Sequence, residues 1–336
     1  MHQTATPQQQ MAGMLTGYWV SQAVYVAAKL GIADLLVAHP RTAKDLAEKT
    51  GMHAQSLYRL LRALASIGVF AEDAEQRFRL TPLAECLRSD VPGSQRALAI
   101  MTGEEHYYVW GDLIHSIQTG EPAFDKIYGM PVFDFLGHSP AKAQIFDEAM
   151  TGIHGRETAA MLEAYDFSQI GVLADIGGGN GSLLLSALER YPHLQGILYD
   201  LPHVVERAKS RILSSPAAAR CETIGGSFFE RVPPGADAYL MRHIIHDWND
   251  EKASVILRNC TSAMRADSRL LLVESVIPPG NDPCWPKFLD LNMLAIPGGQ
   301  ERTETEYRAL LDQCGLSLKR IVPTGGGIDV IEAAKK

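Results

Sequence analysis

The chain has 336 residues, 46% of them hydrophobic and 21% charged, which asks for two domains or one with a large extension and excludes a disordered chain. A formal net charge of -8 argues against non-specific nucleic-acid binding. The five cysteines (Cys86, Cys221, Cys260, Cys284, Cys314) form no C-x-x-C pair, so they read as reduced thiols of a cytoplasmic protein with no zinc cluster.

The opening MHQTATPQQQ is polar and lacks the pattern of a signal peptide. Over residues 11–30, Leu15, Trp19, Ala23, Val26 and Leu30 fall at spacings of 4, 4, 3 and 4, one face of a helix. Val20, Val24 and Ala27 widen that face. Ser21, Gln22, Lys29 and Asp34 argue for a buried helix over a membrane span. So broad an apolar surface needs cover on most sides, and a partner subunit would supply it.

Residues 41–90 have the pattern of a winged helix-turn-helix. RTAKDLAEKTG reads as a helix ending at Gly51, HAQSLYRLLRALASIG as a second ending at Gly68, and VFAEDAEQRFRLT as strand, turn, strand. The second helix offers Arg59 and Arg62 to solvent while Leu57, Leu60, Leu61 and Leu64 turn inward. DNA binding would use that helix. The region carries eight basic and seven acidic residues, too little positive charge to hold phosphates, so packing or dimerisation is the better reading.

Residues 95–165 are helical patterns broken at Gly120-Glu121-Pro122 and Gly129-Met130-Pro131. Tyr107, Tyr108, Trp110, Phe124, Tyr128, Phe133, Phe135 and Phe146 are mostly core, with a few left to line an aromatic pocket. From 170 onward strands (VLADIG, QGILYD, ADAYLMRHI, RLLLVESVI) alternate with helices (SLLLSALER, VVERAKSRIL, EKASVILRNCTSAM, TETEYRALLDQCG). That alternation predicts an α/β fold with a doubly wound parallel sheet. The end reads as a hairpin around Gly325–Gly327.

Three segments carry the chemistry. LADIGGGNGS at 173–182 places Gly177, Gly179 and Gly181 between a strand and a helix. The dinucleotide fingerprint would want a glycine where Ser182 stands. The turn therefore suits a nucleotide-like ligand, or is a plain strand-to-helix bend, and points to NAD only weakly. QGILYD ends at Asp200, 23 residues after Gly177, where an acid either grips a ribose diol or caps the next helix. With the glycine turn before it, ribose is favoured. In GGSFFERVPPGADAYLMRHIIHDWND, Phe228 suits a flat heterocycle, Ser227 its edge, and Arg242 a carboxylate. His243 and His246 sit at i, i+3 with no third ligand at a zinc-like spacing, so no metal is assigned.

Together the glycine turn, YDLPHV, RHIIHDW and GGQERT resemble the small-molecule O-methyltransferases that use S-adenosylmethionine, of the caffeate and acetylserotonin type and its bacterial natural-product branch. The resemblance covers nearly the whole chain. It implies a Rossmann-like methyltransferase sheet over 166–336, an N-terminal, mainly helical winged-helix dimerisation domain over 1–95, and a helical pocket region over 96–165. It also implies a homodimer, a hydroxylated aromatic acceptor from secondary metabolism, and no nucleic-acid or membrane partner. By the resemblance, Gly177 holds the methionine end of the cofactor, Asp200 its ribose, and Ser227, Phe228, Arg242 and His243 surround the rest. His246 is the catalytic base, flanked by Glu274 and Glu301. Trp110, Phe146, Met150, Asn292 and Met293 line the acceptor pocket. Ser227 departs from the family, which usually has aspartate there, and implies weaker cofactor binding or a compensating partner. Competing readings are a cofactor-sensing regulator, an NAD-dependent oxidoreductase, and a family member with hydroxylating or decarboxylating chemistry.

Overall fold

A computed structural model describes residues 5–336, the side chain of Arg156 apart; the first four residues of the polar N-terminal stretch lie outside the described residues. The chain divides into two compact units. One takes the chain up to Tyr108 together with Ser139–Gly155, and the other takes Val109–His138 and Arg156–Lys336.

In the first unit the stretch read as one helix is two, Pro7–Leu15 and Gly17–Lys29. The break falls at Thr16, whose hydroxyl bonds the Ala12 carbonyl at 2.8 Å, with Gly17 next; both weaken helix continuation. Its burial also differs from the expectation. Ala27 and Ala28 are buried, but Leu15 is 69% and Trp19 62% exposed, with Tyr18 and Val20 beside them. Only the C-terminal end is covered within one chain.

The winged-helix pattern forms as read. Thr42 and Asp45 make a capping box that opens the helix Ala43–Thr50, and Gly51 closes it. The helix Ala54–Ser66 buries Leu57, Leu61 and Leu64, with Leu60 half-buried, and leaves Arg59 and Arg62 exposed. Strands β2 (Phe70–Glu72) and β3 (Arg77–Leu80) form the wing. A third strand, β1 (Arg41–Thr42), pairs with β3; at two residues it shows no periodicity to read.

The second unit is built on β4 (Val172–Ile176), β5 (Gln195–Asp200), β6 (Cys221–Gly225), β7 (Ala238–Arg242), β8 (Arg269–Glu274), β11 (Leu316–Pro323) and β12 (Asp329–Lys335). Their order is β11-β12-β8-β7-β4-β5-β6. β4 to β8 are parallel, and the terminal hairpin β11–β12 adds on antiparallel beside β8. Alternate residues face opposite cores, as strand geometry demands. Tyr239, Met241, Leu270 and Leu272 pack with the helices Asp250–Ala263 and Glu304–Gln313. Leu240, Leu271 and Val273 pack with Ser182–Arg190 and Pro202–Ser214. Helices on both faces force the near-continuous apolar strands LLLV and AYLM. Two short strands, β9 (Val276–Ile277) and β10 (Arg302–Thr303), pair separately, and a helix at Pro286–Ala295 completes the segment before GGQERT. No helix is long and apolar enough to cross a membrane, among the described residues. All five cysteines are free thiols.

Candidate active site

Parallel strands point their carboxyl ends the same way, so residues far apart in sequence meet along one edge. Gly177 follows β4, Asp200 ends β5, Ser227 and Phe228 follow β6, Arg242 ends β7, and Glu274 ends β8. Strand order reverses around β4, and open α/β sheets hold ligands outside the carboxyl ends at such a point.

One half of this edge is mostly main chain. Gly177 has φ +70, and a β-carbon on it would lie 2.4 Å from Ile244 and 3.5 Å from the Phe228 ring, so only glycine fits. Its N–H donates to the Tyr199 carbonyl at 2.8 Å. The Asp200 carboxylate accepts from the Gly179 N–H at 2.9 Å, which ties the strand-end acid to the glycine turn. The helix Pro202–Ser214 has no side-chain cap, so Asp200 is not its N-cap. Phe228 packs edge-on to Phe229 and Trp248. The Ser227 hydroxyl accepts from the Phe229 N–H at 3.3 Å. Asp175, inside β4, is buried with one carboxylate oxygen lacking a hydrogen-bond partner. Burial pushes it up to about 7, with the Arg242 charge opposing. Arg242 itself donates to the Thr158 hydroxyl at 2.7 Å. Bare backbone, a strand-end acid, an aromatic ring and a buried carboxylate with an unmet oxygen fit a nucleoside carrying an amino-acid tail.

The other half is made of buried charge. His246 sits on a 3-10 turn, Ile245–Asp247. Its Nδ1 meets Glu301 Oε1 at 2.6 Å. Glu274 Oε2 stands 3.7 Å from the same nitrogen, and Asp247 Oδ1 stands 3.5 Å from Nε2. Glu274 spends its other oxygen on the N–H groups of Ile244 and Ile245, at 3.1 and 2.9 Å. Burial alone would lower His246, but the charges of Glu274, Asp247 and Glu301 outweigh it and raise it to about 10. Burial raises Glu274. The segment carrying Glu301 lies directly on the histidine: a β-carbon on Gly299 would be 2.0 Å from the His246 carbonyl oxygen. Gln300 N–H donates to that oxygen at 2.9 Å.

His243 has φ +52, a left-handed conformation uncommon outside glycine and often held at functional sites. Its Nε2 pairs with Glu157 at 3.0 Å, and burial lowers it. His243, His246 and Glu274 bring ligand atoms within 4.8 Å of one another, so the third donor missing from the local spacing is present in space. Glu301 already takes the His246 nitrogen that faces Glu274, which favours proton handling over metal ligation.

Among the acceptor-pocket residues, Trp110 Nε1–H donates to Asn292 Oδ1 at 2.9 Å. Met293 is buried, and its carbonyl accepts from Gly298 and Gly299 at 2.8 and 3.1 Å. Asn292 and Met293 therefore stand on the helix that leads into the Glu301 segment. Phe146 and Met150 belong to the first unit, where they pack partly buried against Ala97, Met101 and Ala149. The structure also brings in residues that the sequence reading passed over. Asp290 accepts from the Glu301 N–H at 2.9 Å, Glu157 and Thr158 hold His243 and Arg242, and Arg302 is fully buried behind the His246 turn. Glu157 and Thr158 left no local signal; Arg302 lay inside GGQERT beside the acid that was read.

Residues 110–317 match the model of an O-methyltransferase domain, and residues 12–90 that of an O-methyltransferase dimerisation domain. A phenazine O-methyltransferase of Lysobacter antibioticus is 46% identical over 320 residues, 95% of this chain and 94% of the relative. A mitomycin biosynthesis 6-O-methyltransferase of Streptomyces lavendulae is 39% identical, over 96% and 93% of the two chains. Among solved structures, an O-methyltransferase from neocarzinostatin biosynthesis, in complex with S-adenosylmethionine and 2-hydroxy-5-methyl naphthoic acid, superposes with a TM-score of 0.84 at 33% identity, covering 94% of this chain and 96% of the other.

Proposed function

This chain belongs to the S-adenosylmethionine-dependent O-methyltransferases, and from that premise we propose that it methylates a phenolic hydroxyl of a flat aromatic small molecule, with His246 as general base. The observation that carries the proposal is the 2.6 Å contact of His246 Nδ1 with Glu301, which commits that nitrogen and leaves Nε2 to take a proton. One relative is a phenazine O-methyltransferase, another an O-methyltransferase of mitomycin biosynthesis, and the neocarzinostatin enzyme holds a naphthoic acid; phenazine and naphthoic acid are both flat fused-ring compounds. The dimerisation domain supports a homodimer, and the exposed apolar residues Leu15, Trp19 and Val20 are surface for a second copy to cover.

S-adenosylmethionine supplies, when bound, a methyl group on a positively charged sulfur. The Gly177 turn and Arg242 would hold its amino-acid end, Asp200 its ribose hydroxyls, and Phe228 and Ser227 its base. His243 orders the rim through Glu157. Trp110, Asn292 and Met293 would border the acceptor. His246 removes the acceptor proton, Glu301 fixes the tautomer, and Glu301 with Glu274 stabilises the imidazolium.

The charge cluster bears on the proton balance. An ordinary phenol near ~10 and an imidazole near ~6.5 leave complete transfer uphill by about 5 kcal/mol. Raising His246 closes most of that gap. The same shift leaves the resting ring protonated at neutral pH, so His246 must shed a proton before it can accept one, and turnover climbs with pH.

Screening hydroxylated fused-ring aromatics with isotope-labelled S-adenosylmethionine tests the proposal. A product heavier by one labelled methyl is expected, lost in His246→Ala. A hydroxylated or decarboxylated product without the label would overturn it.

A further inference from the structure

The turn that carries His246 does little to hold itself. It is one turn of 3-10 helix, and its closing backbone bonds are long, Asp247 N–H to Ile244 at 3.2 Å and Trp248 N–H to Ile245 at 3.3 Å. Glu274 accepts from the turn's first N–H groups and the Gln300 N–H holds the His246 carbonyl, while the carbonyls on either side of His246 are held by Arg302, which is 0% exposed. One terminal nitrogen, Nη1, donates to the Ile245 carbonyl at 3.1 Å and to the Gln300 carbonyl at 3.2 Å. The other, Nη2, donates to the Trp248 carbonyl at 2.9 Å and to Asp250 Oδ1 at 2.9 Å, and Nε donates to that same oxygen at 3.0 Å. Ile245 and Trp248 bracket His246 on the chain. Gln300 is the residue whose own N–H holds the His246 carbonyl. The fork thus joins both flanks of the base to the segment that carries Glu301.

We propose that Arg302 is a positioning residue for methyl transfer, its guanidinium locking the Ile245–Trp248 turn so that His246 stays seated on Glu301. The inference rests on His246 acting as the base. A planar fork suits the task because its donors point to several acceptors at once, which a lysine ammonium cannot reproduce. Arg302 touches no reacting atom. Its effect is geometric, and misplacing a catalytic group by about 1 Å can cost ~10²-fold in rate.

Arg302→Lys tests this, because it keeps the charge and removes the fork. The Kd for S-adenosylhomocysteine and the KM for the acceptor are expected to stay within about twofold, while kcat falls by roughly 10²-fold. The rising limb of the pH profile is expected to move toward lower pH as His246 loosens from Glu301. A proton NMR spectrum supplies a readout independent of turnover: the downfield imidazole N–H signal of the His246–Glu301 contact is expected to broaden or vanish. If Arg302→Lys does not fold, Asp250→Asn takes its place. It strips the charge from one anchor of the fork, on an exposed side chain, and is expected to give the same split at a few-fold. A variant that keeps the wild-type kcat, pH limb and downfield signal would overturn the proposal, as would activity lost only in proportion to unfolded protein. Full turnover in His246→Ala would instead sink the base assignment, and the NMR signal compared between wild type and Arg302→Lys would still report on the clamp.

Discussion

The two halves of the site are made of different material. At the ends of β4, β5 and β6, glycine backbone, Asp200 and Phe228 form a surface whose groups come from short stretches at strand ends. At the ends of β7 and β8, His246 is enclosed by Glu274, Asp247 and Glu301, with Arg302 behind. The first half offers mostly backbone, an aromatic ring and a strand-end carboxylate. The second holds buried charges whose balance sets where a proton sits, so small displacements alter its chemistry. On the proposed function, binding and proton transfer fall to different halves, and substitutions are expected to pull them apart.

The largest separation is expected from His246→Ala, which should reduce turnover by ~10²–10⁴-fold, measured as methylated product under saturating cofactor. Asp200→Ala should do the reverse. Losing hydrogen bonds to a charged acceptor raises the S-adenosylhomocysteine Kd by roughly 10–100-fold, read by calorimetry, with little change in kcat once cofactor is saturating. Glu301→Gln should lower kcat by about tenfold and shift its pH dependence. The sign follows from the cluster. Negative neighbours hold the proton on His246, and with His246 as the proposed base that proton must leave first, so wild-type activity is expected to rise at a pH above the usual histidine range of ~6.5. Removing one of those charges lets the proton leave sooner and moves the limb to lower pH; an unmoved limb would mean that another group sets it. The smallest effect is expected from Ser227→Asp. An added charged acceptor beside Phe228 should tighten cofactor binding by about a few-fold, and no change in Kd would show that Ser227 does not reach the base.

How much was legible from sequence also divides along this line. Gly177 and Asp200 sit in short, patterned stretches at strand ends, and the structure joins them through Gly179. The winged helix was legible for the same reason, since capping box, terminal glycine and leucine spacing are all local. Contacts across long separations were not. The pairing of His243 with Glu157 spans 86 residues, and that of Trp110 with Asn292 spans 182. Glu301 was named by resemblance, but its contact with Nδ1, and the use of Glu274 on backbone N–H groups, belong to the folded chain. The split at Thr16 went unread because apolar periodicity runs straight through it, while one hydroxyl back-bond and a glycine decide the outcome. Arg302 went unread because a charged residue beside a motif's acid reads as surface until the fold encloses it.

Calorimetric titration of His246→Ala with S-adenosylhomocysteine tests the separation of binding from proton transfer most directly. A dissociation constant within about twofold of wild type, in a protein that no longer turns over, is the predicted result. A binding affinity that collapses together with activity would contradict it.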